Sequence, residues 1–192
     1  RGLNWDAVRD VADPEKGVEK YDMRNLPMKG ISDNTYDGVY SEHFIEHLHK
    51  SEGIDFLKEM YRVLKPGGTI RTIWPPREFI DKLLSDEQLT ADEEYFCAHY
   101  HNFYVLKHKF CPPGYEDEPI RIQCAQGLLY QNGEHLYVWG KKELIGTLKE
   151  LGFIMVRDHV YQQSRVADFR GIDSQGKIRA LHSAVVEAQK PW

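Results

Sequence analysis

Between residues 36 and 74, the alternation of apolar and polar positions predicts a strand, a polar turn, a helix and a second strand. The first strand is Asp37 to Tyr40. The helix, with Ser51 as its predicted N-cap, has apolar residues at three- and four-residue spacing: Ile54, Leu57, Met60, Tyr61 and Leu64. Residues 66–68, P-G-G, end it, and residues 69–74 form the second strand. Ligands bind at the carboxyl ends of strands in such sheets, so residues 41–43 mark a candidate site.

The remaining pattern extends this unit into an α/β fold. Strands are predicted from Leu3 to near Asp6 and from Gly17 to Met23, and a helix from Lys141 to Leu151. Residues 153–160 and 181–188 are predicted as a closing antiparallel hairpin around a polar loop at 162–177. Strands alternating with helices favour a mostly parallel sheet covered on both faces. The aromatic-rich stretch from about residue 79 to 135 is expected to form a helical cap inserted into this domain.

The bulk properties are those of one globular domain spanning residues 1–192. A net charge of -5 with no basic stripe argues against a nucleic-acid partner. The sequence shows no apolar run of the roughly 18 residues that cross a bilayer, and its start lacks the apolar core of a signal peptide. The three widely spaced cysteines favour reduced thiols rather than disulfides. These features predict a cytoplasmic protein without a membrane partner.

Two segments carry a specific resemblance. Residues 41–48 are S-E-H-F-I-E-H-L, and residues 59–68 are E-M-Y-R-V-L-K-P-G-G. The pair resembles the turn and the next strand entry of class I S-adenosylmethionine-dependent methyltransferases of the type 11 group. The resemblance covers Leu3 to about Ile80 and Gly133 to Lys190. It implies a Rossmann-like sheet, mostly parallel with an antiparallel C-terminal hairpin, and S-adenosylmethionine as cofactor.

The resemblance also implies which residues hold the nucleoside of the cofactor. Asp6 falls where an acidic residue of the family holds the ribose hydroxyls, although a carboxylate capping a turn is an equally good explanation. Asp22 and Met23 fall where the family contacts the adenine. A carboxylate can accept from the exocyclic amine and a thioether can pack on the ring. An ordinary strand-end carboxylate and a core methionine are the alternatives.

Ser41, Glu42 and His43 would then lie near the methionine moiety and the methyl acceptor. The implied reaction is methyl transfer to the hydroxyl or amine of a small molecule. His43 is the candidate base, because an imidazole that titrates near neutral pH can take a proton from the acceptor.

One feature departs from the family pattern. A D-x-G-x-G motif, which brings the backbone close to the cofactor, is absent from the sequence. The N-terminal strand and its glycine loop are therefore expected to be missing. Either the chain, which starts at Arg1, is a truncated product, or another segment substitutes for the loop. The alternative function is an inactive methyltransferase-like domain that binds a partner or associates with its own copy as a homo-oligomer.

Two groups of histidines suggest metal-binding sites, but less strongly than the two segments above suggest a methyltransferase. Residues 43–47, H-F-I-E-H, match the inverted zincin pattern, in which His43 and His47 share a helix face and Glu46 is the base. A zinc hydrolase is the weaker alternative, because the methyltransferase match extends much further, and no metal ligand is assigned. In the predicted cap, aromatic packing comes first, an acceptor pocket second, and a site built from His99, His101 and His108 last.

Overall fold

The predicted strand–helix–strand unit is present in the computed structural model, which describes residues 22, 23 and 25–192. Strand β1 is Tyr36–Glu42, helix α1 is Lys50–Val63 and strand β2 is Leu64–Trp74. Helices α2 (Arg77–Leu84), α3 (Ala91–Tyr100) and α4 (Ile120–Tyr130) follow. A π-helical turn, His101–Lys107, extends α3. The chain closes with α5 (Lys141–Glu150), β3 (Ile154–His159), α6 (Lys177–Leu181) and β4 (Ala184–Gln189).

These strands form one four-stranded sheet in the order β1-β2-β4-β3. β1 pairs with β2 in parallel, and β4 runs antiparallel between β2 and β3. The α/β class and the antiparallel C-terminal hairpin are therefore confirmed. The other predicted parallel strands, at residues 3–6 and 17–23, fall outside the described residues apart from Asp22 and Met23.

Helix α1 shows how local sequence sets this geometry. Its apolar positions face the main core, where Leu57 and Val63 are fully buried. The prediction of Ser51 as N-cap is wrong: the helix begins at Lys50, and the backbone N–H of His49 donates to the Glu52 carboxylate at 2.9 Å. The carboxylate thus satisfies the backbone donor of the capping residue, which fixes the start of the helix.

Between β2 and α5 the chain is helical and packs around its own buried cluster: Ile80, Leu83, Phe96, Cys97, Tyr100, Val105, Cys124, Ala125 and Leu128. The loop predicted at residues 162–177 contains a 3-10 turn, Ala167–Phe169, and α6 follows it. The last strand consequently begins at Ala184 rather than at residue 181. Within the described ranges, every helix is too short or too polar to cross a bilayer.

A buried arginine ties this polar loop to the sheet. Arg71, in the middle of β2, is fully buried and donates through Nε to Asp173 Oδ1 at 2.9 Å. Its Nη1 donates to Glu187 Oε1 on β4 at 2.7 Å and to the carbonyl of Gln163 at 3.0 Å. One guanidinium therefore joins β2, β4 and the loop beside the candidate site.

Candidate functional site

The polar turn at the carboxyl end of β1 is the centre of the candidate site. Ser41 is buried, and its Oγ donates to Thr72 Oγ1 on β2 at 3.3 Å. The backbone N–H of His43 donates to the carbonyl of Ile73 at 2.8 Å, one residue past the end of β1. His43 itself has φ of +48°, in the left-handed region. The chain therefore leaves the sheet at His43.

The carboxylate of Glu42 accepts four hydrogen bonds from other groups of the protein. Its Oε2 accepts from the Tyr40 hydroxyl at 2.7 Å and from both the backbone N–H (3.1 Å) and the hydroxyl (2.7 Å) of Ser174. Its Oε1 accepts from the Tyr161 hydroxyl. Burial raises the pKa of Glu42, but these hydrogen bonds outweigh burial and hold the pKa below its usual 4.5. The carboxylate thus anchors the loop after β3 to the end of β1.

We expect Glu42→Gln to lower the free energy of unfolding by about 1–3 kcal/mol at pH 7, because hydrogen bonds to a charged acceptor are lost. Because the pKa of Glu42 is lower in the folded state than in the unfolded state, its carboxylate stabilises the folded protein above pH 4.5. This stabilisation is lost as the pH falls through the pKa of the folded state. The difference between wild type and variant should therefore shrink below pH 4.5. Urea denaturation of both proteins across pH 3–7 measures it. A difference that stays constant with pH would contradict the charged state of Glu42.

The imidazole of His43 is held on both nitrogens. Nε2 lies 2.8 Å from the Ser183 hydroxyl, and Nδ1 lies 3.2 Å from Oε1 of Glu46. Its side chain is 13% exposed. The ring of His182 lies 5.1 Å away between centroids, and burial followed by the charge of His43 lowers the pKa of His182 to about 3. His182 is therefore neutral at pH 7.

Glu46 is fully buried in the 3-10 turn Ile45–His47. Neither carboxylate oxygen has a hydrogen bond of good geometry, although Oε1 faces Nδ1 of His43. Burial alone raises the pKa of Glu46, but His43, His135 and His47 together lower it to about 2. A charged carboxylate is thus enclosed by three imidazoles.

The structure overturns the helical geometry assumed for the H-x-x-E-H pattern. His43 precedes the 3-10 turn at positive φ and points one nitrogen toward Ser183, so His43 and His47 do not share a helix face. The sequence pattern locates Glu46 and His47 but not Ser183 or His135. These two come from distant segments, and no local signal joins them to the turn.

The predicted nucleoside residues are only partly described. Asp6 lies outside the described residues. Asp22 is exposed, and one of its carboxylate oxygens accepts from the Asn25 side chain at 3.2 Å. Met23 is 5% exposed and belongs to the main core. It also lines a cleft of about 390 Å³ beside α1, together with Leu26, Pro27, Glu52, Asp55, Lys58, Glu59 and Arg62.

The histidines of the predicted cap have separate partners. Nδ1 of His99 contacts the carbonyl of Tyr95 at 2.9 Å, and Nε2 of His101 contacts the Gln123 side chain at 3.1 Å. The ring of His108 packs 4.7 Å from that of Phe103. Among the described residues, the histidines that gather into a potential metal-binding group are His47 and His135, with Glu46.

Comparisons with known proteins support the α/β fold. Residues 6–72 match the family described as methyltransferase domain. The fold is similar to that of a chain in the complex between the Trm112 methyltransferase activator and a methyltransferase from Haloferax volcanii. That similarity has a TM-score of 0.53 at 14% identity and covers 100% of this chain and 73% of that one. No curated protein matches the sequence.

Two further solved structures are S-adenosylmethionine-dependent methyltransferases. The one from Archaeoglobus fulgidus has a TM-score of 0.53 at 18% identity, over 98% of this chain and 75% of that chain. The one from Thermotoga maritima has a TM-score of 0.50 at 17% identity, over 98% and 72%. At these identities the likeness establishes the fold.

Proposed function

We propose that this chain is a class I methyltransferase and that it methylates a hydroxyl or amine of a small molecule; the fold and the methyltransferase-domain match over residues 6–72 support the proposal. The observation that carries the proposal is the polar turn at the end of β1. It lies inside the matched segment, at the edge where ligands bind in sheets of this kind. Bound S-adenosylmethionine would supply an electrophilic methyl group on a sulfonium.

We assign the nucleoside of this cofactor to Asp22 and Met23. A ribose hydroxyl or an adenine amine would donate to the exposed carboxylate of Asp22, which also accepts from Asn25. Met23 is buried in the main core and lines the cleft beside α1, where its thioether would contact the adenine.

Ser41 and Glu42 are already bonded within the protein. We therefore propose that Ser41 and Glu42 hold the backbone at the edge of the cofactor site and do not bind the cofactor through their side chains. Asp6 is the proposed second carboxylate, which would accept from the ribose hydroxyls.

His43 is the proposed base. With its Nδ1 proton directed at Glu46, Nε2 carries the lone pair, and the Ser183 hydroxyl donates to it. An acceptor hydroxyl or amine that replaces this serine contact would place its proton on Nε2. Glu46 would then stabilise the imidazolium, since a buried carboxylate interacts strongly with a neighbouring positive charge.

A protein partner is the second candidate, and one observation favours it. One structural neighbour is a complex with a methyltransferase activator. In this alternative the chain binds a partner or a second copy of itself and transfers no methyl group alone.

Calorimetric titration with S-adenosylhomocysteine tests the cofactor site. We expect saturable binding, and Asp22→Ala should weaken it about 10- to 100-fold, the range for one lost hydrogen bond to a charged group. The matched control is Asp86→Ala, an exposed aspartate between α2 and α3, which should bind like the wild type. Absence of binding at millimolar ligand would reject the enzyme for this chain and favour the partner-binding alternative.

A further inference from the structure

We propose that Glu46, His47 and His135 form a binding site for a divalent transition metal of the zinc type. One ligand atom from each residue lies within 4.8 Å of the others. Both carboxylate oxygens of Glu46 are buried; Oε1 has only the 3.2 Å contact with Nδ1 of His43, and Oε2 has no hydrogen-bond partner among the described residues. Buried acceptors are rarely left unpaired, so this carboxylate points to a bound cation or its equivalent.

His135 is oriented for this role. Its Nδ1 lies 2.5 Å from the carbonyl of Leu128, at the end of α4, and must donate to it. The tautomer thereby leaves Nε2 with a free lone pair. Metal-bound histidines commonly direct their other N–H to a backbone carbonyl in this way. The rings of His135 and His47 meet edge to face, with centroids 4.9 Å apart.

Backbone bonds hold the two contributing segments together. The N–H groups of Leu136 and Tyr137 both donate to the carbonyl of Glu46, at 2.8 and 3.2 Å. These bonds fix the chain just after His135 against the 3-10 turn that carries Glu46 and His47. The backbone structure therefore places Glu46, His47 and His135 close together.

The ligand set favours zinc over calcium or magnesium. Two imidazole nitrogens and one carboxylate oxygen suit zinc and similar transition metals, whereas calcium and magnesium prefer oxygen ligands alone. Three protein ligands also leave a fourth position for water or substrate. His43 contacts Oε1 of Glu46 and would act as an outer partner that orients the carboxylate. The site thus uses the last two residues of H-x-x-E-H, with glutamate as ligand rather than base.

Titration of chelator-treated protein with zinc chloride tests the proposal without any methyl-transfer assay. We expect one equivalent to bind. His47→Gln and His135→Gln should each lower the affinity by at least about 100-fold, and His43→Asn by about 10-fold, as removal of outer partners does. His49→Gln is the matched control, because His49 is exposed on the neighbouring helix start, and it should bind like the wild type.

Cobalt absorption and circular dichroism complete the test. Cobalt bound by Glu46 and two histidines gives a visible d–d spectrum without a sulfur charge-transfer band. Circular dichroism should show that His47→Gln, at a partly exposed position, keeps the native fold. Lack of zinc binding by the wild type would overturn the proposal and leave a buried water as the partner of Glu46. Unchanged affinity in both histidine variants, or a sulfur band from the cysteines, would overturn it equally.

Discussion

Arg71→Met should lower the free energy of unfolding by about 3–5 kcal/mol, the largest stability effect that we expect from one substitution in this chain. Methionine roughly preserves the volume but removes the charge. The carboxylates of Asp173 and Glu187 would stay buried without their guanidinium partner. Removing one member of a buried ion network is costly because desolvated charges remain. Urea denaturation at pH 7 measures the loss, and the melting temperature should fall by roughly 10 °C.

The control is Arg77→Met, since Arg77 is 50% exposed and pairs with Asp81 one helical turn away. Exposed pairs of this kind contribute at most about 1 kcal/mol. Adding Asp173→Asn and Glu187→Gln to Arg71→Met should recover part of the stability, because no uncompensated charge then remains. A loss in Arg71→Met no greater than in the control would show that the buried network contributes little.

The predictions that succeeded rest on local patterns. The three- and four-residue spacing in α1 specifies a helix followed by a strand with no long-range information. The predicted helix stop at residues 66–68 is wrong, because α1 ends at Val63 and β2 begins at Leu64 and includes these residues. In β2, Gly67 has φ of +78°, and a Cβ at Gly68 would lie 2.9 Å from the carbonyl of Lys65, so this bend requires glycine. The start of α1 was misplaced because Glu52 caps His49, a histidine that ordinary capping preferences do not favour.

The parts of the site that could not be predicted depend on distant contacts. Ser41, Glu42 and His43 were located because a polar turn after a strand marks the sheet edge. Their partners lie far along the chain: Ser183 bonds His43, and Ser174 bonds Glu42. The short helix α6, which precedes Ser183, has too few residues to show an apolar period. A single sequence contains no information that pairs such segments.

The largest functional effect should come from His43→Asn. If His43 takes the proton of the acceptor, the variant should lose roughly 100- to 10,000-fold in kcat, the usual contribution of a general base. Asparagine is the appropriate replacement because it tolerates the left-handed backbone of residue 43, φ +48°, whereas alanine would add backbone strain. The assay follows release of S-adenosylhomocysteine with the best acceptor from a panel of small hydroxyl and amine compounds.

Ser183→Ala is the matched control for this variant. It removes the contact to Nε2 but leaves the imidazole and Glu46 in place, so kcat should change by less than about tenfold. Affinity for S-adenosylhomocysteine should be the same in both variants, because neither residue is assigned to the nucleoside. Saturating zinc should not restore His43→Asn, which separates loss of the base from weakened metal binding. An unchanged kcat in His43→Asn would mean that the acceptor loses its proton to solvent, and that His43 serves only to orient Glu46.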